Sequence, residues 1–313
     1  MSHFSLANKK KEYAKKGIFH TNETLAKKVH DTIQSIAKQQ GNIIKDILDI
    51  NVGGAGLLSV FSDDVAKYGM DIEAEFIEYT KGYLKGKFVV CDCLRDEPFN
   101  REFDYIVGNY PFSLKGNGKE IAQILNAPFE LSNTLDSAFI LRNLNYLSNK
   151  GACVLISSLG MLYRGGKEQK FREWLIQKNY IDCLEFIPSD NHFDDTKIAT
   201  CLMVLRKDRQ DKQTITFKND GLSREVYINE IKDNNYNLEI SHYVVKEIEK
   251  EEYDLDELNE EILEDDIKNI KAKLAFYQAL FSMIDCDVYI RYLRALKEIV
   301  TEAEKKLNVL KFK

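Results

Sequence analysis

Short apolar runs rich in β-branched and aromatic residues alternate along this chain with segments of helical periodicity. The early runs each end in an acid or an amide. The runs are Ile43–Ile50, Lys67–Ile72, Lys87–Cys93, Phe103–Gly108, Ala152–Ser158, Ile181–Ile187 and Ala199–Arg206. Between them lie amphipathic stretches such as LDSAFILRNLNYL (Leu135 to Leu147) and KEQKFREWLIQK (Lys167 to Lys178). Continuous apolar strands separated by helices are covered on both faces, which predicts an α/β, doubly wound, mixed but mainly parallel sheet. In such a sheet ligands bind beyond the carboxyl ends of the strands, where the strand order reverses. The chemistry is therefore expected where these runs end.

The flanking regions are different. Asn22 is a candidate N-cap for a helix over residues 22–38, with Leu25, Val29, Ile33 and Ile36 on one face. Lysines crowd the residues before it (ANKKKEYAKKG), so residues 1–40 read as a basic arm and helix. Past Lys207, TITFKND and REVYINEI predict a small β-rich extension that closes the central domain, residues 41–250. The run EEYDLDELNEEILEDD, Glu251 to Asp266, holds no basic residue and reads as an acidic linker. Beyond it, Ile267, Ile270, Leu274, Tyr277 and Ile284, then Ile290, Leu293, Leu296, Val300, Ala303, Leu307 and Leu310, are spaced by threes and fours. They predict a helical hairpin within 251–313 that breaks near Asp285 to Asp287.

Charge and cysteine usage narrow the class. The formal net charge of −6 argues against a chain-wide nucleic-acid coating; the lysine-rich arm is either a phosphate-contacting segment or a solvated tail. The cysteines (Cys91, Cys93, Cys153, Cys183, Cys201 and Cys286) form no CxxC pair and sit mostly in apolar runs, as reduced core residues do. The histidines show no ligand spacing, so no metal site is expected. With no signal-peptide core and no membrane-length apolar run, the chain reads as soluble and cytoplasmic.

The first strand ends DINVGGAGLLSVF: Asp49, then Gly53, Gly54 and Gly56 in a turn expected to open a helix. Such a turn lets backbone approach a ligand and offers N–H groups to it. The second strand ends YGMDIE, where Asp71 is placed to accept from two ribose hydroxyls. The third ends VVCDCL, where Asp92 could accept from an adenine amino group. Ile72 and Cys93, the residues that follow these acids, are counted with them as candidate cofactor-binding positions. Three successive acidic strand ends suit an adenosine cofactor. The turn lacks the GxGxxG of NAD sites and the GxxxxGK[ST] of P-loops. An acid beside it suits a cationic amino acid moiety and would repel a pyrophosphate, so S-adenosylmethionine fits best.

The fourth strand delivers GNYPFS to the same edge. An amine conjugated to an aromatic ring is a poor nucleophile because its lone pair is delocalised. The Asn109 side-chain oxygen and the Tyr110 main-chain carbonyl could accept both amine protons and concentrate the lone pair on nitrogen. Pro111 holds the turn with φ fixed, and Phe112 offers a face for a planar base.

This order of motifs resembles the amino-methyltransferases of DNA, in which Asn-Pro-Pro-[Tyr/Phe] ends the fourth strand. More narrowly it resembles the modification (M) subunit of type I restriction–modification systems, an adenine-N6 class. KKGIFHT (Lys15 to Thr21) matches the family's Gly-x-Phe-[Tyr/His]-Thr segment, which helps cover the cofactor and brings in Phe19 and Thr21. DINVGGAGLLSVF resembles the cofactor loop Asp-Pro-x-x-Gly-x-Gly-x-Leu-Leu, with Ile50 at its proline and Ala55 at its second glycine. Tyr110 stands at the first proline of the catalytic motif. SSLGMLYRGGKEQKFREWLIQKNYIDCLEFIPSDNHFDDTKIATCLMVLRK, Ser157 to Lys207, is similar to the segment after the fifth strand, most specifically at Tyr163-Arg164-Gly165-Gly166. NYNLEISHYV, Asn235 to Val244, resembles the tail of the family's catalytic core.

The resemblance implies a methyltransferase-type sheet over residues 41–250 that carries a methyl group from S-adenosylmethionine to N6 of an adenine flipped out of double-stranded DNA. It also implies a separate specificity (S) subunit docked on the C-terminal helices, and a restriction subunit in the same assembly. Two other readings of the same residues stay open. One is methylation of a protein glutamine amide. The other, motivated by Ile50, Ala55 and Tyr110, is a cofactor-binding regulatory subunit with little or no activity.

Overall fold

The structure, a computed structural model, describes residues 21–189, 199–209, 212–245, 255–281 and 287–310. The chain divides into two compact units, Met1–Lys246 and Glu247–Lys313.

The first unit opens with helix α1, Glu23–Gln39. Asn22 caps it through its side chain, which accepts from the Leu25 N–H at 3.0 Å. Its buried stripe, Leu25, Val29, Ile33 and Ile36, is the one the spacing predicts. The strands follow: β1 Asp46–Asp49, β2 Ala66–Asp71, helix α2 Ala74–Tyr83, β3 Lys87–Val90 and β4 Phe103–Asn109. Next come α3 Gly118–Ile124, α4 Asp136–Tyr146, β5 Leu147–Ser158, α5 Gly160–Tyr163 and α6 Lys167–Gln177. The unit ends with β6 Ile181–Ile187, β7 Thr200–Arg206, β8 Thr214–Asn219, β9 Leu222–Tyr227, α7 Ile228–Asp233 and α8 Ile240–Tyr243.

The strands form a single nine-stranded sheet in the order β3-β2-β1-β4-β5-β7-β6-β8-β9. Strands β1 to β5 pair in parallel, and β7 runs antiparallel between β5 and β6. The expected β-rich extension is the β8–β9 hairpin, which continues the sheet with β8 parallel to β6. The order reverses between β1 and β4, which are neighbours with Leu48 opposite Ile106. That switch point brings the ends of β1 and β4 to one edge: a Cβ added to Gly108, the residue before Asn109, would lie 3.8 Å from Asp49 Oδ1.

Two expectations change in this unit. The glycine turn after β1 opens no helix; residues 56–60 form turns, with Ser59 N–H bonded to the Ala55 carbonyl at 2.9 Å. The segment is short and runs into the breakers Ser62, Asp63 and Asp64 before β2 begins. Strand β5 starts at Leu147 rather than Ala152, because the polar Ser148, Asn149 and Lys150 extend it beyond its apolar part. Strand β4 meets it there with a register irregularity between Phe103 and Tyr105.

The second unit is a helix pair, α9 Leu255–Phe281 and α10 Asp287–Leu310. Much of the acidic run is therefore helix rather than linker. It holds no Gly or Pro, and Glu and Leu are strong helix formers. Ile267 and Val300 are buried, the Tyr277 and Tyr292 rings meet edge-on at 5.7 Å, and Lys271 pairs with Glu304. These cross-pairs define an antiparallel hairpin, with Leu293, Leu296 and Ala303 also on its less exposed face. No helix among the described residues is long and apolar enough to cross a membrane.

Candidate active site

Asp49, the last residue of β1, is 1% exposed. Its Oδ1 accepts from the Asn51 N–H at 2.9 Å, and no cation pairs with it among the described residues. Burial pushes its pKa up to about 7, and the charge of nearby Asp71 adds to the rise. Beside it, Asn51 donates to the Cys93 Sγ at 3.5 Å while its own Oδ1 is buried with no hydrogen-bond partner among the described residues.

The loop that follows is fastened to β2 and α2. Gly53 N–H donates to Asp71 Oδ2 at 2.9 Å, and Asp71 Oδ1 accepts from the Glu73 N–H at 3.0 Å. Thr80 Oγ1 donates to the Gly53 carbonyl at 3.3 Å, and the Tyr83 hydroxyl donates to the Gly54 carbonyl. Gly53 and Ala55 both have left-handed backbone, with φ of 47° and 57°. Ala55 is fully buried, so its methyl belongs to the core of this turn, and the conformation explains why a glycine suits the position.

Ile72 is 64% exposed at the tip of β2, an apolar surface beside Asp71. Asp92 caps the turn after β3: its Oδ1 accepts from the Leu94 N–H at 3.0 Å and its Oδ2 lies 3.6 Å from Arg95. Cys93 is buried, with its carbonyl bound by Arg142 Nε at 2.8 Å and its thiol pKa raised by burial.

On the other side of the switch point, Asn109 ends β4 and its Nδ2 donates to Thr21 Oγ1 at 2.9 Å. Thr21 also spans the two halves, because a Cβ added to Gly56 would lie 3.2 Å from the Thr21 carbonyl. Tyr110 does more than its backbone role requires. Its ring is 1% exposed, stacks on Phe139 at 5.5 Å and 13°, and its hydroxyl meets Ser157 Oγ. Burial holds its phenol pKa well above the usual value. Phe112 is packed rather than displayed, 9% exposed with its ring edge-on to Tyr110 at 5.9 Å. Pro111, between them, is half-buried.

The structure thus brings together Thr21, Asp49, Gly53, Gly54, Asp71, Ile72, Asp92, Cys93 and residues 109–112 at one sheet edge. Phe19, and the other residues of KKGIFHT before Thr21, lie outside the described residues, as does Cys286. Sequence reasoning missed Asn51, Thr80, Tyr83 and, on the catalytic side, Asp136, Ser157 and Ser158. The last three bear on residues 109–113 from strands and helices far along the chain, so no local spacing announces them.

The residues of the first half fit S-adenosylmethionine. A buried carboxylate with no counter-cation among the described residues suits an α-ammonium group, Asp71 at the next strand end suits ribose hydroxyls, and exposed Ile72 suits an adenine face. Among the described residues no group of His, Cys, Asp and Glu could hold a metal ion.

The sheet order with its antiparallel β7 and this edge of strand-end acids define the fold type of S-adenosylmethionine-dependent methyltransferases. A protein from Listeria monocytogenes assigned to class I of those enzymes superposes with a TM-score of 0.53 at 16% identity, covering 70% of this chain and 71% of that one. A type I restriction–modification methyltransferase subunit from Streptococcus thermophilus superposes with a TM-score of 0.65 at 20% identity, covering 72% of this chain and 59% of its own.

Residues 77–220 match the N-6 DNA methylase family. The chain is also similar to the methylase subunit of the type I restriction enzyme MpnII from Mycoplasma pneumoniae, 27% identical over 79% of this chain and 57% of that protein. The MjaVII methylase subunit of Methanocaldococcus jannaschii is 26% identical over 52% of this chain and 36% of its own length. The chain therefore spans only part of the curated relatives it matches, between about a third and somewhat over half.

Proposed function

We propose that this chain transfers a methyl group from S-adenosylmethionine to the N6 amino group of an adenine in double-stranded DNA, as the modification subunit of a type I restriction–modification system. The observation that carries the reading is the adjacency of Asp49 and Asn109 at the β1/β4 switch point, which sets a cation-seeking pocket beside an amine-accepting loop. The family match over 77–220, which includes Asn109 to Phe112, supports it.

The bound cofactor supplies a methyl sulfonium, the electrophile of the reaction. Asp49 holds the ammonium end, and Asp71 and Ile72 hold the nucleoside end, with Asp92 and Cys93 bounding the adenine side. Asn109 Oδ1 and the Tyr110 carbonyl would accept hydrogen bonds from the two N–H groups of the adenine amine and so direct its lone pair at the methyl group. Thr21 fixes the Asn109 amide orientation at 2.9 Å. The Tyr110 ring, buried between Phe139 and Phe112, holds that carbonyl in place. Phe112 stacks on the flipped base if its ring turns outward as the base enters, since it lies packed in this structure.

DNA reading and assembly fall to partners in this account: a specificity subunit on the α9–α10 hairpin, with a restriction subunit joining the same complex. The hairpin's outward Ile262, Phe276, Tyr292 and Ile299 support a docking role. Tritiated-methyl transfer to DNA by the full chain with its specificity subunit tests the reading, beside the variant Asn109→Ala. Label in DNA that disappears in the variant is expected. Label in a protein acceptor with none in DNA would instead favour glutamine methylation.

A further inference from the structure

The sheet edge carries a second charged cluster outside the residues assigned so far. Asp136, the first residue of α4, is fully buried. Its Oδ1 accepts from Ser158 Oγ at 2.6 Å, at the end of β5, and its Oδ2 accepts from the Ser113 N–H at 3.2 Å. Ser113 is the residue that ends the NYPFS turn, and it is held with left-handed backbone at φ 55°. An ordinary L-residue adopts that conformation only when its surroundings compensate the strain.

Arg164 closes the cluster from the other side. Its Nη2 donates to Ser113 Oγ at 2.9 Å, and its Nη1 lies 3.7 Å from Asp136 Oδ2 and 3.4 Å from Glu168 Oε1. The guanidinium lies across Gly160, where an added Cβ would come within 2.4 Å of it, so only glycine leaves it room. The backbone beneath is fixed as well: Arg172 Nη1 donates to the Arg164 carbonyl at 2.7 Å and to the Met161 carbonyl at 3.0 Å. Both the amide and the hydroxyl of Ser113 are thus held by charged groups from α4 and from the turn after α5.

We infer that Asp136 and Arg164 are positioning residues for the methyl transfer, a clamp that holds residues 109–113 in the geometry that aims the target amine. The inference rests on the proposed function and deepens it, because neither residue needs to touch the substrate or the cofactor. The clamp acts through Ser113 on Tyr110, whose carbonyl is an acceptor in the reaction, three residues away along a turn stiffened by Pro111. Displacement of such acceptors by about 1 Å is enough to cost on the order of a hundredfold in rate. The cofactor loop is fastened separately, through Asp71, Thr80 and Tyr83. Loss of the clamp should therefore leave cofactor affinity intact.

Arg164→Ala is the leading variant, since Arg164 lies partly at the surface and its removal spares the core. Asp136→Asn, which keeps the shape and removes the charge, is the second. Two readouts are taken on the full chain with its specificity subunit: hydrogen exchange of the peptide spanning 103–116, and single-turnover methyl transfer beside calorimetric S-adenosylmethionine binding. The clamp predicts faster exchange at 103–116 with 46–58 unchanged. It also predicts transfer slowed by about ten- to a hundredfold at unchanged cofactor affinity, with partial recovery in Arg164→Lys.

Unchanged exchange in both variants would overturn the clamp. Faster exchange with an unchanged transfer rate would overturn the positioning role, and so would equal losses of affinity and of rate. A wild-type complex that transfers nothing to DNA would defeat the functional reading and the kinetic role with it, while the exchange data still decide whether the loop is clamped.

Discussion

The glycine loop, residues 51–56, and the NYPFS loop, residues 109–113, leave neighbouring strands at the same sheet edge but are held by different means. The first is tied by hydrogen bonds to its immediate neighbours in the sheet, β2 and α2, and keeps one buried carboxylate, Asp49, with no counter-charge among the described residues. The second is gripped from β5, α4 and the turn after α5 by rings and by paired charges. A ligand carrying a positive group completes the first loop. The second is already satisfied before any substrate arrives, which is what preorganised acceptors require. Binding of a cationic ligand should therefore order the first loop and leave the second as it is.

The contrast can be broken most severely at Asn109. Asn109→Ala is expected to lower methyl transfer by about 10²–10³-fold, the usual effect of losing one preorganised hydrogen-bonding group. Cofactor affinity measured by calorimetry should stay as in wild type. A matching loss of affinity would mean the two halves are not independent.

Tyr110 comes next. Tyr110→Ala removes a ring that is buried and stacked on Phe139, and should cost about 3–5 kcal/mol in denaturant unfolding. Tyr110→Phe forfeits only the contact with Ser157, about 1 kcal/mol, and should keep transfer because the main-chain carbonyl remains.

Asp49 sharpens the comparison from the other side. In the ligand-free chain its carboxyl keeps a proton up to about pH 7, whereas an unfolded aspartate releases it near 4. Its contribution to stability is therefore full below about pH 4 and is lost as pH rises through about 7. A cationic ligand favours the ionised form, so its binding releases a proton, and affinity should climb between about pH 6 and 7.5. Asp49→Asn should weaken binding by roughly 2 kcal/mol and flatten that climb, as read by calorimetry in buffers of different ionisation heat.

The smallest effect belongs to Ala55. Its left-handed backbone is one that glycine adopts at no steric cost. Ala55→Gly should raise stability by no more than about 1 kcal/mol in thermal unfolding, because the greater chain entropy of unfolded glycine offsets part of the relief.

Much of this edge could be read from the sequence because its signals are local. Asp49, Asp71, Asp92 and Asn109 each close an apolar run, so period and punctuation locate them. Strand–helix alternation predicts the doubly wound sheet, whose switch point the structure sets between β1 and β4. What escaped notice depends on contacts between distant residues. Tyr110 and Ser157 are 47 positions apart, and Asp136 and Ser158 are 22 apart, so nothing near Tyr110 says that its ring would be buried. The helix expected after the glycine turn failed for lack of length, and the acidic run became helix because its composition favours that state more than its charge opposes it. Phe112 was expected to show a face because aromatic residues in such motifs meet bases; in this structure Tyr110 takes up one side of it.

The central claim is that the amine bound at Asn109 belongs to adenine in DNA. The most direct test is nucleoside mass spectrometry of duplex DNA incubated with the full chain, its specificity subunit and S-adenosylmethionine carrying a heavy methyl group. The account predicts heavy N6-methyladenine, absent when Asn109→Ala replaces the wild type. Heavy methyl found only on cytosine, or no methylated base despite demonstrated cofactor binding, would contradict it.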